Sequence, residues 1–204
     1  MPSPTLHIEQ LDFHFATHAV FTGYSRQFGP GITWLRGANG AGKTTLLKLA
    51  GGALAPLHGT MRLDQTDSAG MPLAYRMQTF YCGGDTPALP WLTVTEFLDL
   101  HLALYPGSEP ARVQAELDAF AMAGSMQQSI TTLSLGQHKK LQLVLALALP
   151  VKLLLIDEPF NGLDADAMAY LRERLSDAGR LARQCIVLTS HLEPQLPLAA
   201  TVQL

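Results

Sequence analysis

Two short runs carry the groups that could do chemistry. The first, Gly37-Ala38-Asn39-Gly40-Ala41-Gly42-Lys43-Thr44-Thr45, fits G-x-x-x-x-G-K-[ST], the pattern of a phosphate-binding loop. Its glycines let backbone N–H groups turn inward, and the start of a following helix adds a positive dipole end, so together they make a site for phosphates. Lys43 reaches the β- and γ-phosphates of a nucleoside triphosphate as a mobile point charge, and the Thr44 hydroxyl is a natural Mg²⁺ ligand. The second run is the pair Asp157-Glu158, directly behind the apolar stretch Val151-Lys152-Leu153-Leu154-Leu155-Ile156. A carboxylate there stands at the carboxyl edge of a sheet, where open α/β sheets bind ligands, so Asp157 is expected to help hold Mg²⁺. Glu158 is then placed to orient or deprotonate a water that attacks the γ-phosphate.

These groups need a strand, a loop and a helix in that order. Ile32-Thr33-Trp34-Leu35 reads as the strand and Thr45-Leu46-Leu47-Lys48-Leu49-Ala50 as the helix, which stops at Gly51-Gly52. Upstream, residues 6–15 alternate as a strand whose pattern slips near Gln10, and residues 24–28 are extended before a turn at Gly29-Pro30-Gly31. Residues 60–63 form a further short strand, and residues 73–82 contain another. Composition then shifts. Thr93-Val94-Thr95-Glu96 is a capping box opening a helix to about Tyr105. Ser108 is expected to cap a second helix, with Pro110 in its first turn and Val113, Leu117, Phe120 and Ala121 as its buried stripe until Gly124. A third helix over 135–149 is apolar nearly all round after Lys140, hence buried, and Pro150 stops it. Residues 151–156 then read as a central parallel strand. Asp164 caps a helix with Met168, Leu171, Leu175 and Ala178 at helical spacing, residues 185–189 are the next buried strand, and residues 200–204 a last short one. The expected architecture is α/β: a core from residues 1–85 and 151–204, β-rich at its amino end, with residues 86–150 inserted as an α-helical subdomain.

Composition fits one globular domain over residues 1–204, since 48% of its 204 residues are hydrophobic. Lys plus Arg total 14 against 17 Asp plus Glu, a net charge of −3 with no basic cluster, and nucleic acid is not an expected partner. The amino terminus lacks a basic n-region and an apolar h-region, so secretion is not expected. The longest apolar stretch, residues 141–156, is interrupted by Gln142, Pro150 and Lys152 and falls short of a bilayer span. Cys82 and Cys185 are too few and too unpatterned for a disulfide framework or zinc site and read as core thiols, in keeping with a reducing cytoplasm.

Further motifs narrow the reading. Leu133-Ser134-Leu135-Gly136-Gln137, Leu154-Leu155-Ile156-Asp157-Glu158-Pro159, Asn161-Gly162-Leu163-Asp164 and Ser190-His191 resemble, in order, the signature motif, Walker B, D-loop and switch histidine of ABC-type ATPases, a P-loop NTPase family. The run 37–45 is then Walker A, and order and approximate spacing agree across nearly the entire chain. The flanks of that loop and the short length are most similar to single-cassette exporter ATPases, the haem-exporter cassettes of cytochrome c maturation among them.

The resemblance implies ATP and Mg²⁺ as cofactors and a head-to-tail homodimer enclosing two ATP molecules, each between Walker A of one subunit and the signature of the other. It implies ATP-driven closure that energises a separate transmembrane permease subunit from the cytoplasm, with this chain peripheral on the cytoplasmic face of the inner membrane. By the same resemblance Gly37, Ala38, Asn39, Gly40, Ala41, Gly42, Lys43, Thr44 and Thr45 bind the nucleotide. Phe15 stacks on adenine, and Ser134, Gly136 and Gln137 face the partner's nucleotide. Lys43, Glu158 and His191 are the catalytic group, His191 contacting the γ-phosphate, and Thr44 and Asp157 hold the metal. Physically, Ser134 offers a hydroxyl, Gly136 admits close backbone approach, and the helix start points a positive end at an anion. The surface that couples to a permease would be the loop around Thr79 to Trp91 and the neighbouring helical subdomain, with Tyr81, Leu89, Pro90 and Trp91.

Three departures stand out. Leu135 occupies a position where the commonest family pattern has glycine, and His138-Lys139-Lys140 replaces the usual glutamine and arginine residues. The glutamine that links metal site and helical subdomain in the family should fall at Gly84 or Asp85, whereas the nearby glutamine is Gln78. Two other functions share parts of the pattern. A soluble ABC-type clamp acting in protein or cofactor assembly would use the same motifs, and a small-molecule kinase would share the phosphate loop without requiring the signature or Glu158.

Overall fold

The chain opens with antiparallel strands β1 (Leu6–Phe15) and β2 (His18–Phe28), in a computed structural model that describes residues 3–16, 18–84 and 89–204. The expected slip in β1 is a bulge. Gln10 sits at φ 51°, the register with β2 shifts between Ile8 and Leu11, and Leu6, Ile8, Leu11 and Phe13 all remain buried as a result. β2 begins at His18, ahead of the stretch 24–28 that the pattern gives, because as the edge strand of its sheet it is mostly exposed and shows little alternation.

β3 (Gly31–Arg36) leads through the phosphate loop into α1 (Lys43–Ala50), and β4 (His58–Leu63) and β5 (Thr66–Asp67) complete a four-stranded sheet of order β2-β1-β4-β5. A helix absent from the sequence reading, α2 (Pro72–Arg76), is too short to show a helical period and precedes β6 (Thr79–Cys82). α3 (Val94–Leu104) starts at the expected capping box: Thr93 Oγ1 accepts from the Glu96 N–H at 3.2 Å, and the Thr93 N–H donates to Glu96 Oε2 at 2.8 Å.

α4 (Pro110–Ala119) departs from expectation at both ends. Glu109, not Ser108, is its N-cap, and the Ser108 hydroxyl donates to Tyr105 O at 2.7 Å instead. Ala121 is outside the buried stripe, since the chain leaves the helix after Ala119, and Ala121 at φ 54° turns outward while Phe120 stays buried. α5 (Leu135–Ala148) is buried at every position from Leu141 to Ala148, as its composition requires.

After β7 (Leu153–Ile156), Asp164 Oδ1 accepts from the Ala167 N–H at 2.9 Å and caps α6 (Ala165–Leu175). Ala178 does not continue that helix: Asp177 caps a new one, α7 (Ala178–Arg183), by accepting from the Arg180 N–H at 2.7 Å. β8 (Cys185–Thr189) and β9 (Leu198–Gln203) finish a second sheet, of order β6-β7-β8-β3-β9 and parallel throughout.

This parallel sheet divides two cores. Leu153 and Leu155 of β7 and Cys185 and Val187 of β8 pack toward α1 and the antiparallel sheet, while Leu154, Ile156, Ile186 and Leu188 pack toward α3 to α6. Covered faces on both sides explain the unbroken apolar run of β7. Both cysteines are core thiols as read: burial raises the thiol of Cys82 and pushes that of Cys185 up to about 12.

The helical segment is also tied to the core by charge. Glu116 of α4, its side chain 2% exposed, accepts from Arg174 Nε at 3.0 Å and from the Tyr170 hydroxyl at 2.8 Å, both on α6. Glu116→Ala strands those donors, and we expect it to lower unfolding free energy by about 3 kcal/mol in urea titrations. Nucleotide affinity should be unchanged, because the pair is remote from the phosphate loop.

Candidate functional site

In the parallel sheet β7 pairs with β8 and β8 with β3, so the segments following these three strands meet at one edge. They are the loop 37–42, the pair Asp157-Glu158, and Ser190-His191. Trp34 of β3 fixes the last of these by donating its indole N–H to Ser190 O at 3.2 Å.

The loop is built for anions. Gly42 caps α1 at φ 92°, and a Cβ there would meet Val20 Cγ1 at 2.7 Å, so both backbone angle and space require glycine. No side chain caps α1 and no acid lies in its first turn, which leaves its first N–H groups directed at the loop's interior. Ala41 N–H donates to Ala38 O at 3.1 Å and closes the turn. Lys43 Nζ donates to Gly37 O at 2.8 Å and Ala38 O at 3.0 Å, folding the ammonium back over the loop.

Across from it, Asp157 is held at both oxygens. The Thr44 hydroxyl donates to Oδ2 at 2.6 Å and the Thr189 hydroxyl to Oδ1 at 2.5 Å. Thr189 Oγ1 also accepts from the Glu158 N–H at 3.0 Å. Glu158 has φ 48°, a left-handed conformation for a non-glycine residue. Its carboxylate accepts from the His191 backbone N–H at 3.3 Å, and His191 Nε2 lies 3.7 Å from its other oxygen.

These groups line one cleft of about 470 Å³, which contains Asn39, Gly40, Gly42, Lys43, Thr44, Thr45, Asp157, Glu158 and His191. Phe15 lies in the same cleft, 52% exposed and edge-on to Phe13 at 4.9 Å. Gly37, Ala38 and Ala41 belong to the loop through the bonds above. Thr44 and Asp157 offer hard oxygens side by side, which suits Mg²⁺, an ion that takes one or two carboxylates and fills its shell from phosphate and water. Among the described residues no group of three or more His, Cys, Asp or Glu could hold a metal ion.

Three expected residues lie outside this cleft. Ser134 and Gln137 cap α5 reciprocally, the Gln137 N–H donating to Ser134 Oγ at 3.2 Å and the Ser134 N–H to Gln137 Oε1 at 2.9 Å. Gly136 lies beside them in the first turn, and Leu135 between is 91% exposed, so it obstructs nothing within the chain. Gln78 is not at the catalytic edge: it precedes β6 at the opposite end of the sheet, where its amide donates to Ala74 O at 2.9 Å and Thr66 Oγ1 at 3.0 Å. Gly84 is an exposed turn residue beyond the carboxyl end of β6, and Asp85 lies outside the described residues.

Sequence reasoning missed His18 and Val20, which line the cleft from the edge strand, and Thr189. A hydroxyl closing the otherwise apolar run Cys185-Ile186-Val187-Leu188-Thr189 was the available signal for Thr189. A larger cleft of about 730 Å³ lies at the other edge of the sheet, where Arg112, Arg174, Arg180 and Arg183 surround an apolar floor with Leu147 and Val151.

Residues 25–161 match the family model described as ABC transporter. The cytochrome c biogenesis ATP-binding export protein CcmA of Paramagnetospirillum magneticum is 34% identical over 89% of this chain and 84% of its own length. Its namesake in Cupriavidus necator is 34% identical over 98% and 88%, and the taurine import ATP-binding protein TauB of Yersinia pestis is 35% identical over 82% and 66%. Among solved structures, an ATP-binding subunit of an ABC transporter superimposes with a TM-score of 0.82 at 30% identity, covering 92% of this chain and 79% of that one. A dimeric ATP-binding cassette bound to ADP and phosphate shares the fold, with a TM-score of 0.77 at 17% identity.

Proposed function

Since the chain belongs to the ABC transporter family, we infer that it is the ATP-binding and ATP-hydrolysing subunit of a transporter and energises a separate membrane subunit by ATP-driven closure of a homodimer. The observation that carries the reading is the convergence of Lys43, Thr44, Asp157 and Glu158 in one cleft at the carboxyl edge of the parallel sheet. The triphosphate lies along residues 37–45, its charge met by Lys43 and by the N–H groups opening α1. Adenine stacks on the exposed ring of Phe15. Thr44 and Asp157 hold Mg²⁺, which neutralises charge on the β- and γ-oxygens when bound. Glu158 orients the attacking water and accepts its proton, and His191 stands beside it to meet the γ-phosphate.

Ser134, Gly136 and Gln137 complete the site from the other copy. Their place outside the cleft of their own chain supports that division, since α5 opens toward solvent with Ser134 and Leu135 exposed. In this reading the permease is a separate protein and this chain sits peripherally, on the cytoplasmic face of the inner membrane; among the described residues no helix is long and apolar enough to cross a membrane. Trp91, 75% exposed, and Leu100 and Leu104, one turn apart on α3, give that permease an apolar surface to meet.

Two measurements test this. Purified chain should release phosphate from ATP only when Mg²⁺ is supplied. In fractionated cells it should pellet with a membrane protein, and confinement to the supernatant would favour a soluble clamp over a transporter subunit.

A further inference from the structure

Gly136, Lys139 and Lys140 stand at i, i+3 and i+4 on α5, one face of the helix. All three meet the loop 157–164, which carries Glu158. A Cβ on Gly136 would lie 3.0 Å from Gly162 O, Lys140 Nζ is 2.6 Å from Asp164 Oδ2, and Lys139 Nζ donates to Asp157 O at 2.9 Å.

The Lys139 contact falls on the peptide that joins the two acids. Its carbonyl accepts from Lys139 on α5, and its N–H donates to Thr189 on β8 at 3.0 Å. The peptide is thus held at both ends by side chains from different parts of the fold. Glu158 needs such a hold, because a left-handed φ of 48° persists in a non-glycine residue only where the surroundings over-determine it.

We propose that Lys139 is a positioning residue for Glu158: its ammonium fixes the plane of the 157–158 peptide and so aims the Glu158 carboxylate into the phosphate cleft. The inference rests on the role given to Glu158 above. An ammonium suits the task because a charged donor holds a carbonyl more tightly than a neutral amide does. Lys139 itself does not line the cleft, so nucleotide binding does not depend on it. The two tethers also differ in what they follow. Thr189 is fixed in the sheet, fully buried, whereas Lys139 is carried on α5. A shift of α5 lengthens one tether and leaves the other, which rotates the peptide and withdraws the carboxylate. Hydrolysis is thereby made contingent on where α5 sits.

The test compares Lys139→Met and Lys139→Arg with the unaltered chain in steady-state ATP hydrolysis and in titration with a fluorescent ATP analogue. Lys139→Met should lower kcat by roughly 10- to 100-fold, the penalty of a misplaced catalytic group, with KM and analogue Kd moving less than about twofold. Lys139→Arg, which keeps charge and donors, should recover most of the loss. A Met variant with kcat within about twofold of the unaltered chain overturns the inference alone, as does an Arg variant no better than Met, or a fall in affinity as large as the fall in kcat. An unaltered chain that fails to hydrolyse ATP overturns the role of Glu158, and this inference with it.

Discussion

Lys43→Ala should remove measurable ATP turnover and weaken ATP binding by roughly a thousandfold. In the free chain the ammonium satisfies the carbonyls of Gly37 and Ala38 at 2.8 and 3.0 Å, on a loop that is half-buried to exposed. Water can replace it there, so the thermal midpoint of the nucleotide-free protein should move little. With a triphosphate bound, the same ammonium makes charge-assisted contacts worth about 1.5–3 kcal/mol each. Two such contacts amount to about 4 kcal/mol, hence the thousandfold estimate. Titration with a fluorescent ATP analogue reads this directly, and a Kd within about tenfold of the unaltered chain would count against the phosphate role of Lys43.

Glu158→Gln separates binding from chemistry. The amide keeps the size of the side chain and can still accept from the His191 N–H, which lies 3.3 Å from the native carboxylate. It can take no proton. Turnover should fall about 10³-fold, within the range usual for loss of a general base. Affinity should persist, because Lys43, Thr44, Asp157 and the loop N–H groups are untouched. ATP then stays bound, and the closed pair of copies accumulates. Size-exclusion chromatography should show the variant at dimer mass with MgATP and at monomer mass without it, and an unchanged monomer peak would argue against a sandwiched nucleotide.

What could be read without coordinates follows the range of the forces involved. The phosphate loop, the capping box at Thr93 and the apolar run of β7 are written in residues adjacent along the chain, and each is found where the sequence puts it. The Gln10 slip was visible because a bulge breaks a period of two. β2 was half hidden, since an edge strand needs no apolar face, and α2 was wholly hidden at five residues. The break between α6 and α7 was missed because Leu175 and Ala178 keep helical spacing across it, while Asp177 restarts the helix. In the site, residue types gave Lys43, Thr44, Asp157 and Glu158. The contacts of Lys139 and Thr189 with the 157–158 peptide join residues far apart in sequence, and beyond the hydroxyl that closes the apolar run of β8 nothing local announces them.

The deep burial of both thiols has a use beyond stability. Cys82 and Cys185 are inaccessible, and neither yields a thiolate readily, so maleimide or methanethiosulfonate reagents should pass the native molecule by. The chain is in effect already a silent background for site-directed labelling. One cysteine introduced at an outward position such as Leu104 would carry a spin label or fluorophore without competing signal. In a pair of copies it would supply two such reporters, whose separation could be followed through a full cycle of nucleotide loading and discharge.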